Sequence, residues 1–155
     1  MKLTELHDRL LGEWTGTSHL WLSPPPNPSL PSESRMSVKS KANGKFLALT
    51  YSWSYEGVEQ KGLLLVGNAN KAETASAAWV DSWHQGSSVM QCKGQVNESG
   101  VISLLGSYPA PPNPDWGWRF TITPTAQNQL RITMHNISPA GTEELAVQAD
   151  YTRRK

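Results

Sequence analysis

The feature that most limits the fold of this chain is a succession of ten short runs with the composition of β-strands. The run WGWRFTI (116–122) alternates aromatic and aliphatic residues with glycine, arginine and threonine, the two-residue period of a strand with one buried face. The ten runs, each bounded by turn residues, cover about 13–22, 34–42, 45–55, 59–67, 74–83, 88–96, 100–107, 116–124, 129–137 and 143–152. No run between them has the period of a crossover helix. The pattern therefore predicts an antiparallel sheet in which sequential strands are neighbours.

A short helix is expected ahead of these strands. In LTELHDRLL (3–11) the leucines recur at helical spacing, and Gly12 ends the segment. A meander of ten strands leaves two exposed edges unless its first and last strands pair. We therefore predict an all-β fold, a ten-stranded antiparallel up-and-down β-barrel with the short N-terminal helix at its closed end. A two-sheet sandwich is the alternative architecture.

Composition excludes several classes of partner. The 155 residues are most simply one domain covering residues 1–155. Lys and Arg number 14 against 13 Asp and Glu, without a clustered basic excess, so no nucleic-acid partner is expected. No stretch resembles a signal peptide or approaches the roughly 18 apolar residues of a membrane span, so we expect a cytoplasmic protein with no membrane partner. Cys92 is the only cysteine, which excludes an intramolecular disulfide and argues against a thiolate metal site.

The two ends of the predicted barrel differ. Alternate connections of a meander lie at opposite ends, and those at one end (43–44, 67–73, 97–100 and 124–128) are mostly short and turn-like. The other end carries segments 23–34 and 107–115, which hold nine of the eleven prolines. Trp14 lies at the closed end and Trp79 in mid-strand. The tryptophans expected near the proline-rich end are Trp21, Trp53, Trp83, Trp116 and Trp118.

The stretch AAWVDSWHQG (77–86) places one carboxylate between two tryptophans. If the more apolar set of each strand faces inward, Trp79, Asp81 and Trp83 face the lumen. The other aromatic residues expected on this inner face near the proline-rich end are Tyr51, Trp53, Trp116 and Trp118. A carboxylate between indole rings loses hydration, so Asp81 either contacts a ligand or is held by the barrel's own hydrogen-bond donors.

The number of strands also sets the width of the barrel interior. About eight strands is the size at which side chains just fill a barrel, so a barrel of ten is expected to enclose a ligand cavity. The alternative is that the aromatic side chains simply fill the core.

The histidines give no metal site. By alternation His19, His84 and His135 point outward, although a turn after the fifth strand makes His84 a candidate at the rim. No nucleophile with an adjacent base and no phosphate-binding glycine loop is recognisable, so no catalytic residue is assigned. Cys92 lies in mid-strand and is expected to be inert.

Gly12 and Trp14 in LLGEWTGT (10–17) resemble the Gly-x-Trp of the calycin superfamily, the lipocalins and their relatives. In those proteins the tryptophan closes the barrel base and a basic residue packs on it, a role that the resemblance gives to Arg153 or Arg154. A second resemblance rests on five stretches of the chain, LLGEWTGT (10–17), FLALTYSW (46–53), AAWVDSWH (77–84), LGSYPAPP (105–112) and DWGWR (115–119). Together they resemble a bacterial family of lipocalin-like barrels, the domain of unknown function 1579, over most of the chain. The resemblance implies a lipocalin- or fatty-acid-binding-protein-like barrel and no particular activity.

Two of the same stretches, LLGEWTGT and FLALTYSW, also resemble the nitrobindin-type haem barrels, more distantly. That resemblance implies an iron ligand late in the chain, and His135 is the only late histidine. Its surroundings, TMHNISPAG, differ from the motif of those barrels, so no cofactor is expected.

The leading hypothesis is a non-enzymatic barrel that binds a small, hydrophobic or amphipathic molecule at an aromatic mouth. The expected ligand-binding residues are Tyr51, Trp53, Asp81, Trp83, His84, Trp116, Trp118 and His135. One alternative is a small barrel enzyme, a hydrolase or isomerase that uses Asp81 with His84 or His135. Another is a haem- or nitric-oxide-binding barrel. The aromatic end is also a candidate surface for homodimerisation.

Overall fold

The computed structural model describes residues 1–68 and 73–155, and ten antiparallel strands in it close into a barrel. Each strand pairs with its neighbours in sequence, and β1 pairs with β10. The strands are β1 (Gly12–Leu20), β2 (Leu30–Lys41), β3 (Phe46–Tyr55), β4 (Val58–Asn68), β5 (Thr74–Asp81), β6 (Met90–Val96), β7 (Ile102–Ala110), β8 (Asn113–Ala126), β9 (Gln129–Ile137) and β10 (Glu143–Arg153). The predicted all-β, ten-stranded up-and-down barrel is confirmed, and the sandwich alternative is wrong.

The proline-rich connections are shorter than the sequence suggested. β2 already begins at Leu30, and β7 and β8 extend the hairpin to the pair Ala110 and Asn113. Pro109 falls at an irregularity in this ladder, where the missing N–H of proline costs no pairing hydrogen bond. Of the predicted short turns, the one at 67–73 includes residues 69–72, which lie outside the described part of the chain.

A short helix covers the closed end, as predicted, although its first half is a 3-10 helix. Leu3–Leu6 form the 3-10 part, and α1 (His7–Leu10) continues it. The side chains of Leu3, Leu6 and Leu10 are buried. In the described residues no helix is long and apolar enough to cross a membrane.

Contacts of Trp14 and Arg153 join the helix and the strands at the closed end of the barrel. The Trp14 indole N–H donates to the Leu10 carbonyl at 2.9 Å, and the Arg153 guanidinium carbon lies 4.3 Å from the Trp14 ring centroid. Arg153 also donates to the carbonyls of Arg9 and Leu11. The basic residue expected on the tryptophan is therefore Arg153, which joins the last strand to the helix and to the first strand.

Large aromatic side chains fill most of the barrel interior. The side chains of Trp14, Trp79 and Phe120 are at most 1% exposed, and those of Trp53 and Trp118 are 5% and 7% exposed. What remains is a cavity of about 30 Å³, enough for one or two water molecules. The described residues enclose no wider lumen, although one was expected from ten strands. Ten strands make a wider barrel than eight, and indole rings occupy the additional width.

Candidate functional site

Asp81 ends β5 and accepts four hydrogen bonds from the protein. Its Oδ1 accepts from the backbone N–H groups of Trp83 (2.8 Å) and His84 (3.2 Å). Its Oδ2 accepts from the Tyr51 hydroxyl (2.7 Å) and from the Trp53 indole N–H (3.2 Å). The residue is 3% exposed. The carboxylate that the sequence singled out is therefore held by the barrel's own donors, which define the turn that follows β5.

Gly62 explains how Tyr51 reaches this carboxylate. The two residues are directly opposite each other on β3 and β4, and Gly62 is in turn opposite Asp81 on β5. A Cβ atom at Gly62 would lie 2.1 Å from the Tyr51 ring carbon Cζ. The phenol therefore crosses β4 through the space that a side chain would fill.

The Tyr51 hydroxyl links the carboxylate to the tryptophans. It donates to Asp81 and accepts a hydrogen bond from the Trp79 indole N–H at 2.8 Å. Burial raises the pKa of Tyr51 well above 10.0, and the neighbouring Asp81 carboxylate raises it further. The phenol thus stays protonated and remains a donor to Asp81 at neutral pH.

His84 points into the barrel mouth, which corrects the outward direction that strand alternation predicted. β5 ends at Asp81 rather than at residue 83, and the turn after it re-aims the side chains of 82–84. The imidazole centroid lies 4.9 Å from that of Trp83 and 5.4 Å from those of Trp79 and Trp118; Trp53 is 5.6 Å away. His84 is thus surrounded by four indole rings.

Burial lowers the pKa of His84 from 6.5, against the opposing effect of the Asp81 carboxylate. The imidazole is therefore neutral at pH 7. In the described part of the chain no hydrogen bond joins this ring to Asp81.

We expect the free energy of unfolding to fall more steeply from about pH 7.5 to about pH 5 in the wild-type protein than in His84→Gln. Because the native pKa of His84 lies below 6.5, acid protonates this residue in the unfolded chain before it protonates the native one. Stability tied to the neutral imidazole is complete above pH 6.5 and is lost as the pH falls through the native pKa. The slopes should differ by up to about 1.4 kcal/mol per pH unit. Urea unfolding at a series of pH values measures this difference, and parallel profiles would contradict it.

His84 also lies between two spaces. On one side is the interior cavity of about 30 Å³, which His84 lines together with Tyr51, Trp53, Asp81, Phe120 and Tyr151. On the other side is a groove of about 330 Å³, which His84 lines together with Trp79, Gln85, Met90, Tyr108 and Trp118. One side chain thus borders both spaces.

The groove lies where two strands of the wall separate. β6 and β7 pair only over Lys93–Val96 and Ile102–Leu105. Within the described residues, 90–92 of β6 pair only with β5, and 106–110 of β7 pair only with β8. Loss of this pairing opens the barrel wall beside the mouth and exposes the groove.

The structure brings six of the eight predicted site residues together. Tyr51, Trp53, Asp81, Trp83, His84 and Trp118 are linked by the hydrogen bonds and ring contacts above. Trp116 is half-buried opposite Tyr108 on β7, and lines neither space. His135 pairs with Arg119 in register and also lines neither space; the buried residues 130, 132 and 134 alternate with it.

Sequence reasoning missed Gln85, Met90 and Tyr108 as neighbours of this site. Their common feature is proximity to the point where β6 and β7 stop pairing, and no residue pattern marks that point. Gly62 was also missed, although a glycine inside an apolar run such as GLLLVG is a signal for a close approach by another group.

Several chemistries fit this arrangement poorly. Both Asp81 oxygens are engaged, and the cavity of about 30 Å³ is far too small for a porphyrin. His135, the residue that a haem would need, does not line it. No group of three or more potential metal ligands occurs in the described residues. Burial raises the pKa of the Cys92 thiol to about 11, so the reactive thiolate is scarce at neutral pH.

The profile of the DUF1579 family, described as protein of unknown function, matches residues 4–153. The chain belongs to the DUF1579 family. No curated protein matches it.

Solved structures with this DUF1579 fold include Rv2717c from M. tuberculosis. It is 14% identical to the chain with a TM-score of 0.67, and the alignment covers 97% of this chain and 96% of the other. The S-type phycobiliprotein lyase CPES from Guillardia theta is 13% identical with a TM-score of 0.66, over 100% of this chain and 94% of the other. At such identities the likeness establishes the fold.

Proposed function

We propose that the protein binds a small, partly apolar molecule in the groove at the aromatic mouth of the barrel. The observation that carries this proposal is the position of His84. It is the side chain that borders both the groove of about 330 Å³ and the cavity of about 30 Å³. A ligand in the groove therefore contacts the imidazole directly.

The size and chemistry of the groove favour this function. Small-molecule sites usually occupy about 300–1,000 Å³ and are lined by apolar and aromatic groups with a few polar ones. Trp79, Met90 and Trp118 supply the apolar walls, and Gln85 and Ser88 supply polar groups. The cavity behind His84 can take only a small part of a ligand, so the groove must hold most of it.

The likeness to a phycobiliprotein lyase is a second, weaker support. A phycobiliprotein lyase binds a bilin and has a similar fold, so a bilin should be included among the ligands tested with this chain. Homodimerisation through the same end would compete with binding, and light scattering at several protein concentrations measures it.

We expect N-phenyl-1-naphthylamine, an uncharged dye, to bind the wild-type protein saturably, with a rise in dye fluorescence, and Ser88→Trp to weaken this binding at least about tenfold. Ser88 is exposed and lines the groove, so a tryptophan there fills the groove without entering the core. The matched control is Ser87→Trp, because Ser87 is also exposed and is the adjacent residue but does not line the groove. Equal dye binding by the two variants would place the site elsewhere, and an absence of saturable binding to the wild-type protein by any member of the panel would refute the proposal.

A further inference from the structure

We propose that the groove at the barrel mouth accepts uncharged ligands and rejects anions, so that its ligand carries a neutral polar group such as an amide or an alcohol rather than a carboxylate or a phosphate. This inference rests on the proposed function and specifies the class of ligand. Three properties carry it: the groove walls have no cationic side chain, their polar side chains have already donated their hydrogens, and the Asp81 carboxylate lies beside His84.

The side chains that line the groove supply no positive charge. In the described part of the chain none of them belongs to Lys or Arg, and His84 is the basic residue among them. Burial lowers the pKa of His84 from 6.5, so its imidazole is neutral at pH 7.5. An anion in the groove therefore meets no counter-charge on its walls.

The polar side chains of the groove donate their hydrogens to protein acceptors. Gln85 Nε2 donates to the carbonyls of Trp79 (2.8 Å) and Ser88 (3.0 Å), and the Ser88 hydroxyl donates to the Gln85 carbonyl at 2.7 Å. The Tyr108 hydroxyl donates to Asn136 Oδ1, and burial raises the pKa of Tyr108, so this hydroxyl keeps its hydrogen at neutral pH. What these groups retain is oxygen lone pairs, which repel an anion.

The remaining donors of the lining side chains do not compensate for this. The Trp79 indole N–H donates to the Tyr51 hydroxyl at 2.8 Å. The Trp118 indole N–H has no partner among the described residues, but the nitrogen is buried and thus closed to a ligand in the groove. The neutral imidazole of His84 has one N–H, and one uncharged donor replaces little of the hydration that a carboxylate loses.

The Asp81 carboxylate adds a negative charge beside the groove. Its Oδ1 accepts from the backbone N–H of His84 at 3.2 Å. Burial lowers the pKa of this imidazole, and the Asp81 charge opposes that effect by raising it. The four groups that donate to Asp81 are all uncharged, so they leave its charge in place. A negative charge that favours a cation at the imidazole disfavours an anion there through the same interaction.

The test compares two probes of nearly equal shape, 2-naphthamide and 2-naphthoate, in which a carboxamide and a carboxylate occupy the same position. Each is titrated at pH 7.5 into the wild-type protein loaded with N-phenyl-1-naphthylamine, and the loss of dye fluorescence measures displacement. We expect 2-naphthamide to bind at least about tenfold more tightly than 2-naphthoate, because the carboxylate loses hydration without gaining a counter-charge.

A cation placed on the groove wall should reverse part of this preference. Ser88 is exposed and lines the groove, so Ser88→Lys adds a positive charge there. We expect Ser88→Lys to bind 2-naphthoate at least about threefold more tightly than Ser88→Met, which has an uncharged side chain of similar length, while the two variants bind 2-naphthamide equally. The gain should disappear in about 1 M salt, where the Debye length falls to about 3 Å. Ser87→Lys adds the same charge at an exposed residue that does not line the groove, and it should retain the wild-type preference.

The outcomes separate this inference from the function it rests on. If the dye binds but 2-naphthamide displaces it no better than 2-naphthoate, the rejection of anions is wrong and binding at the mouth stands. If Ser88→Lys and Ser87→Lys change the affinity for 2-naphthoate equally, the preference does not arise in the groove and the inference is also wrong. If neither the dye nor either probe binds, both proposals fail. A preference for 2-naphthamide that Ser88→Lys alone diminishes would establish the uncharged groove wall as the determinant of specificity.

Discussion

Asp81→Ala is expected to lower the free energy of unfolding by about 4 kcal/mol. The substitution leaves four buried donors without their acceptor: the Tyr51 hydroxyl, the Trp53 indole N–H and the backbone N–H groups of Trp83 and His84. Each buried donor left unsatisfied costs about 1–3 kcal/mol, reduced where water enters the space that the side chain leaves. For a domain whose total stability is about 5–15 kcal/mol this is a large loss, and denaturant unfolding at pH 7 measures it.

Asp81→Asn should have an intermediate effect of about 2 kcal/mol. The asparagine Oδ1 can still accept from the two backbone N–H groups, but its amide nitrogen faces the Trp53 N–H donor. Asp150→Ala is the control, since Asp150 pairs with Arg131 at 2.7 Å while its side chain is 47% exposed, and exposed pairs contribute at most about 1 kcal/mol. A loss at position 81 no larger than that at position 150 would show that Asp81 does not organise the mouth.

Gly62→Ala is expected to cost about 3 kcal/mol and to displace Tyr51 from Asp81. The new methyl group would lie 2.1 Å from Tyr51 Cζ and 2.2 Å from its hydroxyl oxygen, well inside van der Waals contact. The ring can move away only by giving up its bonds to Asp81 and to the Trp79 indole. Denaturant unfolding gives the energetic cost, and the Trp79 indole N–H signal should shift as its acceptor leaves.

A double-mutant cycle tests whether the contact with Tyr51 causes the destabilisation expected for Gly62→Ala. Tyr51→Leu removes the ring that collides with the new methyl group, so adding Gly62→Ala to Tyr51→Leu should cost less than about 1 kcal/mol. If Gly62→Ala is equally costly in both backgrounds, the strain lies in the backbone of β4 and not in the contact with Tyr51.

Much of the architecture could be predicted from residue patterns because strand alternation and turn chemistry are local. The run WGWRFTI lies within β8. The basic residue on Trp14 was implied by the resemblance to the calycins, and Arg153 occupies that position. The least accurate boundaries were those of the proline-rich segments. There an interruption in the β7–β8 ladder lets Pro109 remain inside a hairpin, and such an interruption depends on pairing between strands.

The site was harder to predict because its key features are not local. The direction of His84 depends on the two backbone hydrogen bonds that end β5 at Asp81. The small size of the cavity depends on how the rings of Trp79, Trp118 and Phe120 pack against one another across the lumen. The groove depends on where β6 and β7 cease to pair. Each is a relation between distant parts of the chain, and alternation within one strand contains no information about it.

The pairing of β1 with β10 also has a consequence for the order of folding. Trp14 lies opposite Arg153 in this ladder, so the two edges of the meander can be joined only after a ribosome has released the chain as far as Arg153. Until then β1 has a single neighbour, β2, and the helix lacks the bonds from Arg153 that fasten it to the barrel base. Contacts so distant in sequence slow folding, since the entropy of closing the loop is lost before the contacts form. Until β10 is available, the free edge of β1 carries backbone N–H and C=O groups without a strand partner, and such edges favour association between chains.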